Sequence, residues 1–583
     1  MSTLKRSVAH PRRSLIAGIC LSGLLVSVLV ATPAPAATPC PAPPETFPVA
    51  QMHAGMTGVG STVIKGTTVE SFDVEILGVL PNGAYLGVDI IVAEMTGPAS
   101  LVATTGGAVA GMSGSPVYVN GTLAGALAYA VAENRRIFGI TAAEDMVGIF
   151  GLEDAGSGPE MRSRIPLSRS VIQTARASGS MLTDSAALES LPVPLGVSGV
   201  NGLVPLTKIE RSFGRHGVKI SAFRAGSVTA PTAPSIDPSH FVPGDGLGVA
   251  LSYGDISWYG FGTTTAVCGD VALGFGHPLF WGTGDVSLGM TDVNVIAIDN
   301  GTFWGTKIGT IGDTHGVLTQ DRFAGVAGVF GLTPTLVPIT SDVSSPDTGL
   351  SRHGETDTAW DEDWFVADTA WYHAYSNFAF VQQADEPGTV DFAFTITGTR
   401  ADGSPFAVEN RWFEVNDFGA AGGVYRLAEV LYALTYNDFE PIQFTGVDVT
   451  GTITRDDLIS RIARIRTSSP VQPALRARNI LRAAPGDRIT IEVELDRIEG
   501  GPNAIATLRI RVPRWARGFE QIRFSGGRGR LSGHAGSFEG LLATLNGGDH
   551  PNDLIATGFG RRILEAQDVM VTGRGAITVK VIR

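Results

Sequence analysis

The chain has 583 residues, too many for one hydrophobic core, so several domain-sized units are expected. Its formal charge is −13, which argues against nucleic acid or anionic lipid as a partner. Charged residues make up only 17% and glycine numbers 74; with many short apolar alternations, this favours β-rich architecture over long helices or disorder.

The first 36 residues read as a signal peptide: Lys5, Arg6, Arg12 and Arg13, an apolar run from Leu15 to Ala31, then the small-residue site Ala34-Pro35-Ala36. A secreted or cell-envelope protein is therefore expected, with no membrane span once the signal is removed. Cys40 and Cys268 then remain, either as one disulfide or as two separate thiols, and their spacing matches no metal site. No lipobox precedes Cys40.

Residues 37–151 read as a compact β unit, a barrel in outline. Phe72-Asp73-Val74-Glu75-Ile76 alternates as a half-buried strand does, Pro81-Asn82-Gly83 predicts a turn, and Val88 to Ala93 a more buried strand. Gly106-Gly107 leads to Gly111-Met112-Ser113-Gly114-Ser115-Pro116. Glycines on both sides of Ser113 predict a tight loop whose backbone a ligand can approach. Val117 to Val119, Asn120-Gly121 and Thr122 to Leu127 follow as strand, two-residue turn and strand. A serine at the mouth of such a hairpin, beside free N–H groups, suits a nucleophile with an oxyanion site, although a glycine-rich turn with a solvated serine has the same spacing. A short helix around Ala143 to Ile149 closes the unit.

Residues 152–250 read as an inserted subdomain and connector, with one helix near Val171 to Ser178. Residues 251–345 predict a second barrel, in which Gly262 to Val267, a Cys268-Gly269-Asp270 turn and Val271 to Phe275 deliver Gly276-His277-Pro278. Lys307 to Asp313, Gln320-Asp321-Arg322 and Ala324 to Gly328 add short strands with glycine bends. In 346–390, an acidic and aromatic connector, Asp357, Asp361, Glu362 and Asp363 make a solvated acidic turn rather than a calcium loop. Trp360, Trp364, Trp371, Tyr372 and Tyr375 read there as a packing seam, with a sugar platform as the weaker option. Residues 391–583 predict a β-sandwich with helices at Val424 to Leu434 and Phe538 to Leu545; Ile489 to Leu495 alternates strictly.

A serine hydroxyl needs a neighbouring base. Of the ten histidines, His10 lies in the signal, and His53, His216, His240, His353, His534 and His550 read as solvated. His373 falls in the aromatic seam and His315 beside Asp313 is a minor candidate. His277 differs, because glycine and proline on either side fix a loop at a hairpin end.

The Gly111–Pro116 hexapeptide, with Gly106-Gly107 before it and Asn120-Gly121 after it, resembles the serine motif of the SpoIVB-type serine peptidases. Phe72 to Ile76 resembles the strand before that motif, and Gly262 to His277 resembles the family's histidine hairpin, here with the serine and histidine blocks in swapped chain order. The resemblance implies two trypsin-like β-barrels, a Ser113 nucleophile, His277 as general base, and an oxyanion hole from the backbone N–H groups of Gly111 and Ser113. It also implies a peptide or protein substrate and no metal or cofactor. Gly97-Pro98 stands where the family has Asp-Pro, so the acid that orients the histidine has to be Glu94, Asp73 or an acid of the second block, or the pair works as a dyad. The competing expectation is a catalytically inactive peptidase fold that binds peptides or an envelope partner.

Overall fold

The structure, a computed structural model, describes residues 40, 42–151, 164–200, 204–233, 241–280, 284–384, 386–417, 419–498, 500–529 and 535–582. The expected signal peptide, His10, His240 and His534 lie outside the described residues.

Two rings of six strands carry the site. In the first, β1 (Thr57–Val63) pairs with β2 (Val69–Tyr85) and β4 (Pro116–Val119), and β2 pairs with β3 (Val88–Gly97). β3 pairs with β6 (Asn134–Ala142), β6 with β5 (Thr122–Val131), and β5 with β4, so the pairing returns to its start. The turn between β4 and β5 is the expected Asn120-Gly121, with φ of 52° and 81°, the pair of positive angles that suits the twist of a tight hairpin. Pro81-Asn82-Gly83 does not end its strand as expected. It forms an irregularity inside β2, between the pairs Leu80↔Ile90 and Tyr85↔Val88, and the chain turns at Leu86-Gly87 instead. A helix follows β3 at Ala99–Thr105 (α1), and another β6 at Ala143–Val147 (α2).

β7 (Arg164–Pro166) and β8 (Ala187–Ser190) extend the first sheet along β5, with a helix between them at Arg169–Ala177 (α3). β9 (Val193–Val197) follows directly but pairs with the second ring, and β10 (Ile220–Arg224) lies parallel to it. Between β9 and β10 a helix at Leu206–Arg215 (α4), absent from the sequence expectation, buries Ile209 and Phe213. Leu206, Ile209 and Phe213 recur at helical spacing on one face, a short signal in a stretch whose Pro and Ser/Thr clusters read as a connector.

In the second ring β11 (Gly246–Gly254) pairs with β12 (Trp258–Cys268) and β14 (Gly284–Asp299), and β12 with β13 (Val271–Gly274). β13 pairs with β16 (Gly325–Phe330), β16 with β15 (Thr306–Arg322), and β15 with β14, which closes this ring too. The two rings share core: Ala126, Ala128 and Tyr129 of β5 cluster with Val271 and Leu273 of β13 and with Ala324 and Ala327. Small side chains let β5 be buried along almost its whole length between its own ring and the other.

The second sheet runs on from β11 through β18 (Ser351–Thr358), β17 (Val337–Ser344), β21 (Ile442–Thr454), β19 (Gly388–Arg400) and β20 (Pro405–Asn416). A 20-residue helix at Asp363–Gln382 (α5) packs on it, inside the stretch read as an acidic and aromatic connector. Helix α5 is buried on nearly every side, so it carries no polar face and no 3.6-residue stripe to announce it. Its neighbours bury Trp360, Trp364 and Tyr372, and Trp360 stacks on Phe280 with ring centroids 3.9 Å apart. Strands β19–β21, in the range read as sandwich, join the ring's sheet instead; alternation reveals a half-buried strand but not the sheet it joins. Residues 459–581 form two five-stranded sheets over one core, to which Ile489, Ile491, Val493 and Leu495 contribute alternate positions. Helices lie at Tyr425–Thr435 (α6) and Phe538–Leu545 (α7), near the expected places.

Cys40 and Cys268 are joined in a disulfide that fastens the segment before the first ring to the end of β12. Among the described residues no helix is long and apolar enough to cross a membrane.

Candidate active site

Ser113 sits in the loop between α1 and β4, on the first ring, and the glycines there answer to specific neighbours. Gly114 has φ +97°, and a Cβ would lie 1.9 Å from the Thr263 carbonyl oxygen of β12. Gly111 has φ +91°, and its Cβ would press on Lys307 and Pro194 at 3.0–3.1 Å. Glycine is therefore required at both positions by backbone angle and by the close approach of the second ring. Upstream, Arg135 donates to the carbonyls of Thr105, Ala108 and Trp304 and so fixes the path into the loop.

The second ring holds this loop through its threonines. Thr263 N–H donates to the Ser113 carbonyl at 2.7 Å, Thr263 Oγ1 to the Gly111 carbonyl at 3.0 Å, and Thr265 Oγ1 to the Gly114 carbonyl at 2.8 Å. The first ring reciprocates, since Thr141 Oγ1 of β6 donates to the Gly276 carbonyl in the histidine loop. Gly276 itself has φ +68° and packs over Ala126 and Ala128 of β5.

Across this seam His277 Nε2 lies 2.9 Å from Ser113 Oγ. His277 Nδ1 lies 2.8 Å from the Pro278 carbonyl oxygen. A carbonyl only accepts, so the ring proton is on Nδ1 and Nε2 is left to accept the Ser113 hydroxyl proton. Both side chains are almost fully buried, Ser113 at 3% and His277 at 1% exposure. Burial pushes the His277 pKa down to about 4, against the hydrogen bond to Pro278, which raises it; the charge of Lys219 lowers it further. The imidazole is thus neutral at pH 7. Lys219 is fixed by Glu189 at 3.2 Å, the Ser190 carbonyl at 3.0 Å and the face of Trp304.

The N–H groups of Met112, Gly114 and Ser115 are bonded to the carbonyls of Val109, Leu127 and Met112. Those of Gly111 and Ser113, named from the sequence, have no backbone acceptor among the described residues. Neither acid named from the first unit is attached to His277. Glu94 is buried, accepting from Ser180 Oγ at 2.8 Å and paired with Arg136 at 3.3 Å. Asp73 is an exposed side chain of β2, facing Gly97. The hydrogen-bond partner that a triad's acid would be is replaced at Nδ1 by a backbone carbonyl.

The other histidines among the described residues lie elsewhere. His315 pairs with Asp292 at 3.2 Å rather than with Asp313, and His373 is buried between Thr356 and Ser341. His53 and His353 are exposed, as expected. His216 and His550 are half-buried, correcting the solvated reading: His216 stacks on Trp364 and His550 pairs with Asp553. The threonines of β12 belong to the histidine hairpin, but their hold on the serine loop is invisible in the sequence, because a β-branched run in a strand reads only as strand propensity. Among the described residues no group of three or more His, Cys, Asp or Glu side chains is placed to hold a metal ion, the acids near Asp361 included.

No curated protein and no solved structure matches the chain significantly. One family does, described as SpoIVB peptidase S55, over residues 41–147, a span that contains the Ser113 loop and ends before His277. Over that span the chain is similar to the SpoIVB-type serine peptidases, in agreement with the resemblance of its hexapeptide.

Proposed function

We propose that this protein is an exported serine endopeptidase in which Ser113 attacks the peptide carbonyl and His277 is the general base. The observation that carries it is the 2.9 Å approach of His277 Nε2 to Ser113 Oγ between two separate rings, with the ring proton held on Nδ1. The Ser113 proton passes to Nε2 as Oγ bonds the carbonyl carbon, and the N–H groups of Gly111 and Ser113 receive the oxyanion. The imidazolium then gives its proton to the departing amine. Water repeats the sequence on the acyl-serine and releases the acid, which restores Ser113.

A fluorophosphonate probe on the purified chain tests this directly. Labelling is expected in the wild type and absent from Ser113→Ala, while His277→Ala labels slower by about three to six orders of magnitude. No labelling of the folded wild type at any pH between 4 and about 9 would favour the inactive, peptide-binding alternative.

A further inference from the structure

Resting on the Ser113–His277 reading, we propose that Asp321 is the positioning acid of this site, acting on His277 through the Pro278–Leu279 peptide rather than by touching the ring. Asp321 lies near the end of β15, paired with Gly284 and Val326, and is 1% exposed. Its Oδ1 accepts the Leu279 N–H at 2.8 Å and its Oδ2 the Phe280 N–H at 2.7 Å. The Leu279 N–H belongs to the same peptide unit whose carbonyl accepts the His277 Nδ1–H.

A trans peptide points its C=O and N–H in opposite directions, so carboxylate, peptide and imidazole form one chain of donors and acceptors ending at Ser113. Each link does something specific. Two charge-assisted bonds to adjacent N–H groups fix the orientation of the peptide after Pro278. The fixed carbonyl then holds the proton on Nδ1, the tautomer a base aimed at Ser113 requires. The charge behind the peptide strengthens its carbonyl as an acceptor and favours the imidazolium that forms during attack. This supplies what Gly97 cannot supply where the family has its aspartate. Among the described residues, titratable or charged groups nearby include Lys219, whose charge opposes the imidazolium, Tyr129, whose ring centroid is 6.3 Å from that of His277, and Arg322, which is next to Asp321 and binds Asp285 at 2.8 Å.

The test compares wild type, Asp321→Asn and Asp321→Glu as full chains, by fluorophosphonate inactivation rate against pH. In parallel, imidazole ¹⁵N shifts report the His277 tautomer in a Ser113→Ala background. Asp321→Asn is expected to stay folded, to react about a hundredfold more slowly, well short of the four orders that a directly bonded acid can be worth, and to populate both tautomers. Asp321→Glu should recover part of the rate and the single tautomer. In the chain with Asp321 intact, the Leu279 amide proton should shift with the same midpoint as His277 titration, a measurement that needs no folded variant. Unchanged rate and tautomer in folded Asp321→Asn, or a Leu279 amide indifferent to that titration, overturns the role of Asp321 while wild-type labelling leaves the peptidase reading standing. Failure of the wild type to label removes both.

Discussion

At the scale of single residues, the depressed pKa of His277 sets the pH behaviour. As the proposed base, His277 would work when neutral, so inactivation by a fluorophosphonate should hold a plateau through pH 6 and fall only as pH approaches about 4, instead of near the ordinary histidine value of 6.5. The same group bears on stability with a definite sign. Its folded pKa lies below its unfolded one, so its contribution is complete above pH 6.5 and is lost as pH falls through about 4. Urea midpoints measured across that window should decline, and Ser113→Ala, which keeps the imidazole buried, should decline with them. Gly111 gives a steric counterpart. Gly111→Ala would force a Cβ against Lys307 and Pro194 at a φ of +91°, so at least a tenfold loss of labelling rate is expected with a small change in melting temperature.

At the scale of elements, the site depends on β12 as much as on the two loops it joins. Thr263→Val removes the hydroxyl bond to the Gly111 carbonyl and leaves that acceptor without its partner, a cost of about 1–3 kcal/mol. Labelling at Ser113 should fall by more than the loss of stability alone explains, because the loop that holds the hydroxyl is loosened; equal effects on rate and on the urea midpoint would contradict this. Much at this scale was legible beforehand. Asn120-Gly121 marked its hairpin, Ile489 to Leu495 its buried face, and the glycine and proline around His277 a fixed loop. What escaped was of two kinds. Helix α5 has no solvent face and hence no period, while Thr263 and Asp321 act through contacts with segments far along the chain. Asp321 stood in a stretch already read as strand, yet nothing in its spacing links it to the N–H of Leu279 forty-two positions away.

At the scale of the whole molecule, the two rings share one hydrophobic cluster where they meet, and a disulfide ties residue 40 to residue 268 across 228 positions of chain. Restricting the unfolded chain over so long a loop should contribute about 2–4 kcal/mol, and Cys268→Ser should lower the urea midpoint accordingly. The loss should be the same in Cys40→Ser, since either change opens the same loop.

The division of the site between the rings also sets when its two halves can meet. During synthesis the hydroxyl of Ser113 emerges 164 residues before its imidazole, and the ring that carries the imidazole cannot close until β16 is made. A partly synthesised chain therefore carries Ser113 without the imidazole that it meets in the folded protein. Under the proposed function, reactivity would begin only when the second ring folds against the first.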